Sequence, residues 1–237
     1  MYYNVRVKSY PDGTKQYIYS ERMKEKGYNV KEKEKTGQEV ERGERQNMTR
    51  AVRKVYDLAR CNVFDWFITM TFDSVKVDRY DYDACADAIK GFTHKLCLNG
   101  NQWIIVPEQH KDGAYHFHGL VSGDLDLRYY ADGVYNLNNF GYGYTTATKI
   151  RDRARVSTYI AKYLTKQITV PKGRKRYWAS RGLQCPTEEF LVMSSEEYGE
   201  IYNSARFQKV IDSPFGCFIM CETGGTGAMG TDISNLI

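Results

Sequence analysis

"VPEQHKDGAYHFHGLVSG", residues 106–123, holds three of the chain's four histidines, one glutamate and a Lys-Asp-Gly turn between two β-rich runs. In a strand, alternate side chains share a face, so His116 and His118 project together while Tyr115, Phe117 and Gly119 point the other way. Glu108 belongs to the preceding strand, and its face depends on hairpin register, because a one-residue slip sends the carboxylate through the sheet. A two-residue Asp112-Gly113 turn would set Glu108 opposite Phe117. A three-residue loop, Lys111 to Gly113, would set it opposite His116 and wants a left-handed residue at its third position, where Gly113 stands. Turn chemistry and pleat parity agree on the longer loop and on a His116, His118, Glu108 cluster. Two imidazoles and a carboxylate with open positions suit zinc or, with waters, Mn2+ or Mg2+. The bland alternative is a pair of surface histidines on a solvated sheet face. His110 lies near the loop and is the poorer ligand, and His94 falls on an apolar helix and reads as structural.

Outward from this hairpin, "VFDWFITMTFD" (63–73) is rich in aromatic and β-branched residues and reads as a central strand. Asp81 to Leu98 reads as a helix, with Ala84, Ala88, Phe92 and Leu96 on one face. "NMTRAVRKVYDLARCN" (47–62) predicts another, with Asn47 or Thr49 as N-cap. Tyr2 to Ser20 offers a small hairpin around "PDGT", and the charged stretch Glu21 to Gln46 reads as a linker or arm. The Asn-, Gly- and Tyr-rich segment 132–144 reads as a loop, "GYTTATKI" (143–150) as a strand, and residues 153–167 as a helix halted before Pro171. Beyond Gly182, "EEYGEIYNSARF" reads as helical, "FGCFIMC" as a strand and "GGTGAMGTDISNLI" as a flexible end. Strands outnumber helices and alternate with them irregularly, which predicts an α+β domain on an antiparallel sheet. The expected organisation is a hairpin and arm (1–46), one main domain (47–185) and a C-terminal extension (186–237).

The chain is long enough to bury a core without disulfides, and its 6 cysteines form no CxxC pair, so they read as reduced cytosolic thiols. No apolar run is long enough to span a membrane, and a cytoplasmic protein is expected. The net charge of +5 is modest, but residues 151–181 carry ten cations against one acid, leaving the remainder of the chain net acidic. Arg151, Arg153, Arg155, Lys172, Arg174, Lys175 and Arg176 are the candidate DNA-binding residues. Tyr159, Tyr163, Tyr177 and Trp178 interleave with them, a mixture that suits single-stranded nucleic acid. A solvated charge run is the plainer alternative.

On a helical wheel, Tyr159, Tyr163, Lys162 and Lys166 share one narrow face, beside an apolar stripe of Val156, Ile160 and Leu164. The tyrosines could simply widen that stripe. Alternatively, a phenol near lysines and a divalent ion can attack a phosphodiester, because both favour phenolate and polarise the phosphate.

Taken together, these segments resemble the HUH endonuclease superfamily, specifically the rolling-circle replication initiators of small phages and plasmids. "WFITMTFD" resembles its first motif, "HFHGL" its second and "YIAKYLTK" its third, in the usual order, and "RYWASRGL" resembles a trailing segment of phage-type members. The paired tyrosines resemble the two-tyrosine branch. The resemblance implies a five-stranded antiparallel sheet flanked by helices, of ferredoxin-like type, with the histidine pair facing the tyrosine helix. It implies cleavage of a single-stranded origin by Tyr159, a 5′-phosphotyrosine and a free 3′-hydroxyl, a second transfer by Tyr163, and a metal held by His116, His118 and Glu108, with Mn2+ or Mg2+ favoured. A transposase or relaxase of the same chemistry, or a non-cleaving DNA-binding regulator, are the alternatives. No GxxxxGK[ST] occurs, so a host or separate helicase is implied. The protein is expected to act in the cytoplasm of a bacterial host, as a monomer or weak oligomer, without a membrane partner.

Overall fold

The structure, a computed structural model, describes residues 1–27, 37–165, 170–213 and 216–224. In chain order its elements are β1 (Tyr2–Ser9), β2 (Lys15–Glu25), α1 (Gly37–Cys61), β3 (Trp66–Phe72), α2 (Tyr82–Leu98), β4 (Trp103–Gln109), β5 (Tyr115–Val121), β6 (Leu127–Ala131), β7 (Val134–Leu137), β8 (Gly143–Lys149), α3 (Arg153–Thr165), β9 (Trp178–Ala179), β10 (Thr187–Leu191), α4 (Ser195–Ser204), β11 (Phe207–Ser213) and β12 (Gly216–Thr223). The class is α+β with antiparallel sheets. Two compact units account for the described residues, one drawing on Met1–Val40 and Cys185–Gly230, the other on Glu41–Gln184.

The first unit is a five-stranded sheet in the order β10-β1-β2-β12-β11. Its core joins Val5 and Val7 to Cys221 and to Tyr198 of α4. A capping box starts α4, with Ser194 and Glu197 each bonding the other's backbone. The N-terminal hairpin, the helix near 196–207 and the strand near 215–221 all form as expected. The segment 21–46, expected as an arm, instead continues β2 to Glu25 and enters α1 at Gly37. Its Glu, Arg and Gln residues are good helix formers, and an internal glycine such as Gly43 costs a helix only about 1 kcal/mol. The 225–237 tail lies outside the described residues.

The second unit holds a seven-stranded sheet, β6-β7-β8-β3-β5-β4-β9, rather than the five strands expected. Beyond the four strands read from the sequence in this unit, three are added; two of them form the β6–β7 hairpin, part of which falls in the stretch read as a loop. Asp132 (φ 47°) and Gly133 (φ 76°) form its two-residue turn, the left-handed Asp-Gly pair that strand twist favours. The third is the short β9, paired to the outer edge of β4. One sheet face packs Ile68, Met70, Ile105 and Phe117 against Ile89, Phe92 and Leu96 of α2. Gly119 lets that face close, because a Cβ there would sit 2.9 Å from Ile68 Cγ1 and 3.2 Å from Ile105 Cγ1. The opposite face receives α3, which crosses β4 and β5 and buries Val156, Ile160 and Leu164.

Candidate functional site

The β4–β5 turn is the three-residue loop. His110 N–H donates to Ala114 O at 2.9 Å, Gly113 N–H donates to His110 O at 2.9 Å, and Gly113 has φ 90°. Asp112 Oδ1 accepts from Ala114 N–H at 3.1 Å, bracing the turn. Glu108 consequently pairs with His116, and Val106 with His118. On the other side of β5, Thr71 pairs with His116 and Thr69 with His118. The two threonine hydroxyls reach the imidazoles directly: Thr69 Oγ1 lies 3.1 Å from His118 Nδ1 and Thr71 Oγ1 lies 3.0 Å from His116 Nδ1. Each ring is therefore held by Nδ1, with Nε2 turned the other way.

His118 is 5% exposed, and its Nε2 meets Glu108 Oε2 at 2.6 Å. The His116 ring stacks on His110, with centroids 3.8 Å apart. Burial, reinforced by the neighbouring His110 and His118, holds the His116 imidazole down to about 4, so it is neutral at physiological pH. The donor types fit a divalent ion: both histidines are fixed by a hydroxyl at Nδ1, the second-sphere bond that commonly orients a ligating imidazole. Their arrangement is not yet a ligand set. Glu108 spends Oε2 on His118, and among the described residues no three His, Cys, Asp or Glu side chains are grouped as a metal site.

The helix α3 brings its tyrosines over this strand pair. The Tyr163 ring lies on His118 with centroids 3.7 Å apart, and Tyr163 OH donates to Tyr159 OH at 2.6 Å. The two phenols differ in surroundings. Tyr163 is 7% exposed and Tyr159 is 49% exposed. Burial, then the hydrogen bond and proximity of Tyr159, pushes the Tyr163 phenol well above its ordinary value. Phe67 of β3 lies beside both, its centroid 5.1 Å from that of Tyr159. Lys162 is exposed on the same helix face. Lys166 lies outside the described residues.

Tyr159 and Lys162 open onto a groove of about 610 Å³, also lined by Phe67, Thr69, Thr146, Thr148, Lys149, Arg151 and Arg155. Asp152 accepts from the Arg155 backbone N–H at 3.0 Å and pairs with its guanidinium at 3.1 Å, which starts α3. The basic window is divided. Arg151 and Arg155 line the groove, and Arg153 is in the first turn of α3, its side chain outside the described residues. The 170–176 segment is tied instead to α2, which packs on the opposite sheet face. There Arg174 bonds Asp83 at 2.5 Å and the Tyr82 hydroxyl bonds Lys175 O. Lys172 and Lys175 are exposed on that segment and Arg176 is half-buried. Sequence reasoning missed Thr69, Thr71 and the Phe67 ring. Period-two alternation through "WFITMTF" puts all three on one face, but only the β3–β5 register says that this face is the histidines' own.

No helix among the described residues is long and apolar enough to cross a membrane. No curated protein and no solved structure matches the chain. Residues 65–168 match the family model of the replication-associated protein ORF2. That span runs from the start of β3, through the histidine hairpin, to the end of α3. The part of the chain that assembles the site is thus the part similar to a replication-associated family.

Proposed function

We propose that the chain initiates rolling-circle DNA replication as a metal-dependent, site-specific single-strand endonuclease and strand transferase of the HUH type. The observation that carries this reading is the half-exposed Tyr159 phenol, hydrogen-bonded to Tyr163, whose ring in turn lies on His118. Tyr159 Oη attacks the scissile phosphorus. A Tyr–O–P bond forms, the P–O3′ bond breaks, the phenolic proton passes to solvent, and the leaving 3′-oxygen takes up a proton. The products are a 5′-phosphotyrosine and a free 3′-hydroxyl that primes synthesis.

Exposure favours Tyr159 as the first nucleophile, and burial disfavours the phenolate of Tyr163. Tyr163, buried and held protonated, donates its hydrogen bond to the Tyr159 oxygen and serves the later transfer that releases the copied circle. Lys162 and Lys166 stabilise phosphate charge. His116, His118 and Glu108 are the residues that would hold a divalent ion, Mn2+ or Mg2+, once Glu108 turns from His118. Such an ion supplies Lewis-acid polarisation of the scissile phosphate. Arg151 and Arg155, at the groove beside Tyr159, with Arg153 of the same turn, supply salt-sensitive backbone affinity; Lys172, Arg174, Lys175 and Arg176, on the segment tied to α2, add only longer-range attraction. A single-stranded origin is the substrate, and a separate helicase opens the duplex.

The test is incubation with labelled single-stranded DNA from the chain's own replicon and manganese, followed by a denaturing gel. A covalent adduct is expected from the wild type and none from the Tyr159→Phe, Tyr163→Phe double variant. An adduct in the double variant, or none in the wild type, overturns the assignment.

A further inference from the structure

The helix α3 packs on β4 and β5 and sets Tyr159 against Phe67 of β3, while the side chains that β8 presents on the same sheet face are exposed. Register sets Thr71 of β3 beside Tyr144 of β8, Thr69 beside Thr146, and Phe67 beside Thr148. Tyr144 is 71% exposed, and Thr146 and Thr148 are exposed as well. One row of side chains crosses four adjacent strands as Glu108, His116, Thr71, Tyr144. Tyr144 therefore stands two strand spacings from His116, on the order of 10 Å away. The next two rows end in the hydroxyls of Thr146 and Thr148, which open into the groove beside Tyr159, as do Arg151 and Arg155.

This is not the composition of a protein-docking face, whose centre is apolar and poor in charge. It is a strip of hydroxyls with cations at one end and an isolated exposed aromatic at the other. We propose that the single strand flanking the scissile phosphate runs over the β3–β8 half of the sheet. Tyr144 stacks on an unpaired base, and Thr146, Thr148, Arg151 and Arg155 engage the sugar-phosphate backbone. The inference rests on the nucleolytic reading above and deepens it by assigning the substrate a track and a stacking residue. The track excludes the 170–176 cations, which are held on the α2 side of the sheet.

Binding is read by fluorescence anisotropy with replicon-derived oligonucleotides, in a Tyr159→Phe background that prevents covalent capture. Tyr144→Ala should weaken single-strand binding by about 5- to 150-fold, the range measured for losing one base–aromatic stack. Tyr144→Phe should retain affinity. Joint Arg151→Ala and Arg155→Ala should lower the salt dependence of log K by about 1.4, at ~0.7 per phosphate contact. Joint Lys172→Ala and Lys175→Ala should lower it less. Unchanged thermal midpoints verify folding of each variant. The proposal is overturned if Tyr144→Ala binds as tightly as its parent, if Tyr144→Phe loses as much as alanine, or if blunt duplex binding falls equally. Adduct formation by the wild type is scored separately on a short oligonucleotide covering only the nick. Its absence would sink the nucleolytic reading, whereas an intact adduct with unaltered Tyr144→Ala binding would sink the track alone.

Discussion

The threonine–histidine bonds make an asymmetric prediction about two similar substitutions. Thr69→Val and Thr71→Val each remove one hydroxyl while keeping β-branched shape and strand propensity. At His118 the loss is harder for water to repair than at His116, because the ring itself is buried. The ring is 5% exposed, its Nε2 is already committed to Glu108 at 2.6 Å, and Nδ1 would be left buried without its Thr69 partner at 3.1 Å. An unsatisfied buried polar group costs about 1–3 kcal/mol. His116 is more accessible, so water can replace Thr71, and the net cost should be about 0–1 kcal/mol. For a unit of this size each kcal/mol moves the midpoint by roughly 2–4 °C. Thermal unfolding in chelator should therefore show a fall of about 2–12 °C for Thr69→Val and at most about 4 °C for Thr71→Val. Calorimetric titration with Mn2+ should then show both variants binding about 10- to 100-fold more weakly, the usual effect of losing a second-sphere bond to a ligating imidazole. A larger stability loss at Thr71 than at Thr69, or unaltered Mn2+ affinity in both variants, would refute the reasoning.

Gly113→Ala should cost about 1–2 kcal/mol, the penalty of a left-handed conformation, because the added Cβ meets only Tyr80 at 3.7 Å. Gly143→Ala should be far worse when the two variants are compared by urea titration, since its Cβ would fall 2.2 Å from Thr71 O. Tyr163→Phe should still form the first adduct but fail in strand transfer, measured as joined product from a two-site oligonucleotide. In chelator, His116 should impose a pH dependence on stability. Its folded value of about 4 lies below the ordinary 6.5, so the unfolded chain binds the extra proton in that window. Its contribution is fully present above pH ~6.5 and is lost as pH falls toward 4, by up to about 3 kcal/mol at ~1.4 per unit. His116→Gln should flatten that slope in urea titrations at pH 7 and pH 5.

What is legible in the sequence is local. The Lys111-Asp112-Gly113 loop, the parity of Glu108 with His116, and the shared face of Tyr159 and Tyr163 follow from turn chemistry and periodicity over a few residues. What is hidden depends on distant partners. Thr69 and Thr71 become second-sphere candidates only through the β3–β5 register, between strands more than forty residues apart. The closure of Glu108 onto His118 is a rotamer choice that spacing cannot encode. The basic window reads as continuous, yet Pro171 and the bond from Arg174 to Asp83 carry its second half to the α2 side. The pairing of β1 with β10 and of β2 with β12 likewise joins the two ends of the chain, where local patterns suggest an arm and an extension.

Tyr159 is the proposed nucleophile that first attacks single-stranded DNA, with Tyr163 donating a hydrogen bond to its oxygen. Peptide mapping of the covalent protein–DNA adduct by mass spectrometry tests this assignment most directly. After single-turnover reaction with manganese, the phosphonucleotide should sit on Tyr159 in the wild type and in Tyr163→Phe, and Tyr159→Phe should yield no first-cleavage adduct. A phosphonucleotide mapped to Tyr163 in the wild type, or an undiminished adduct in Tyr159→Phe, would contradict the account.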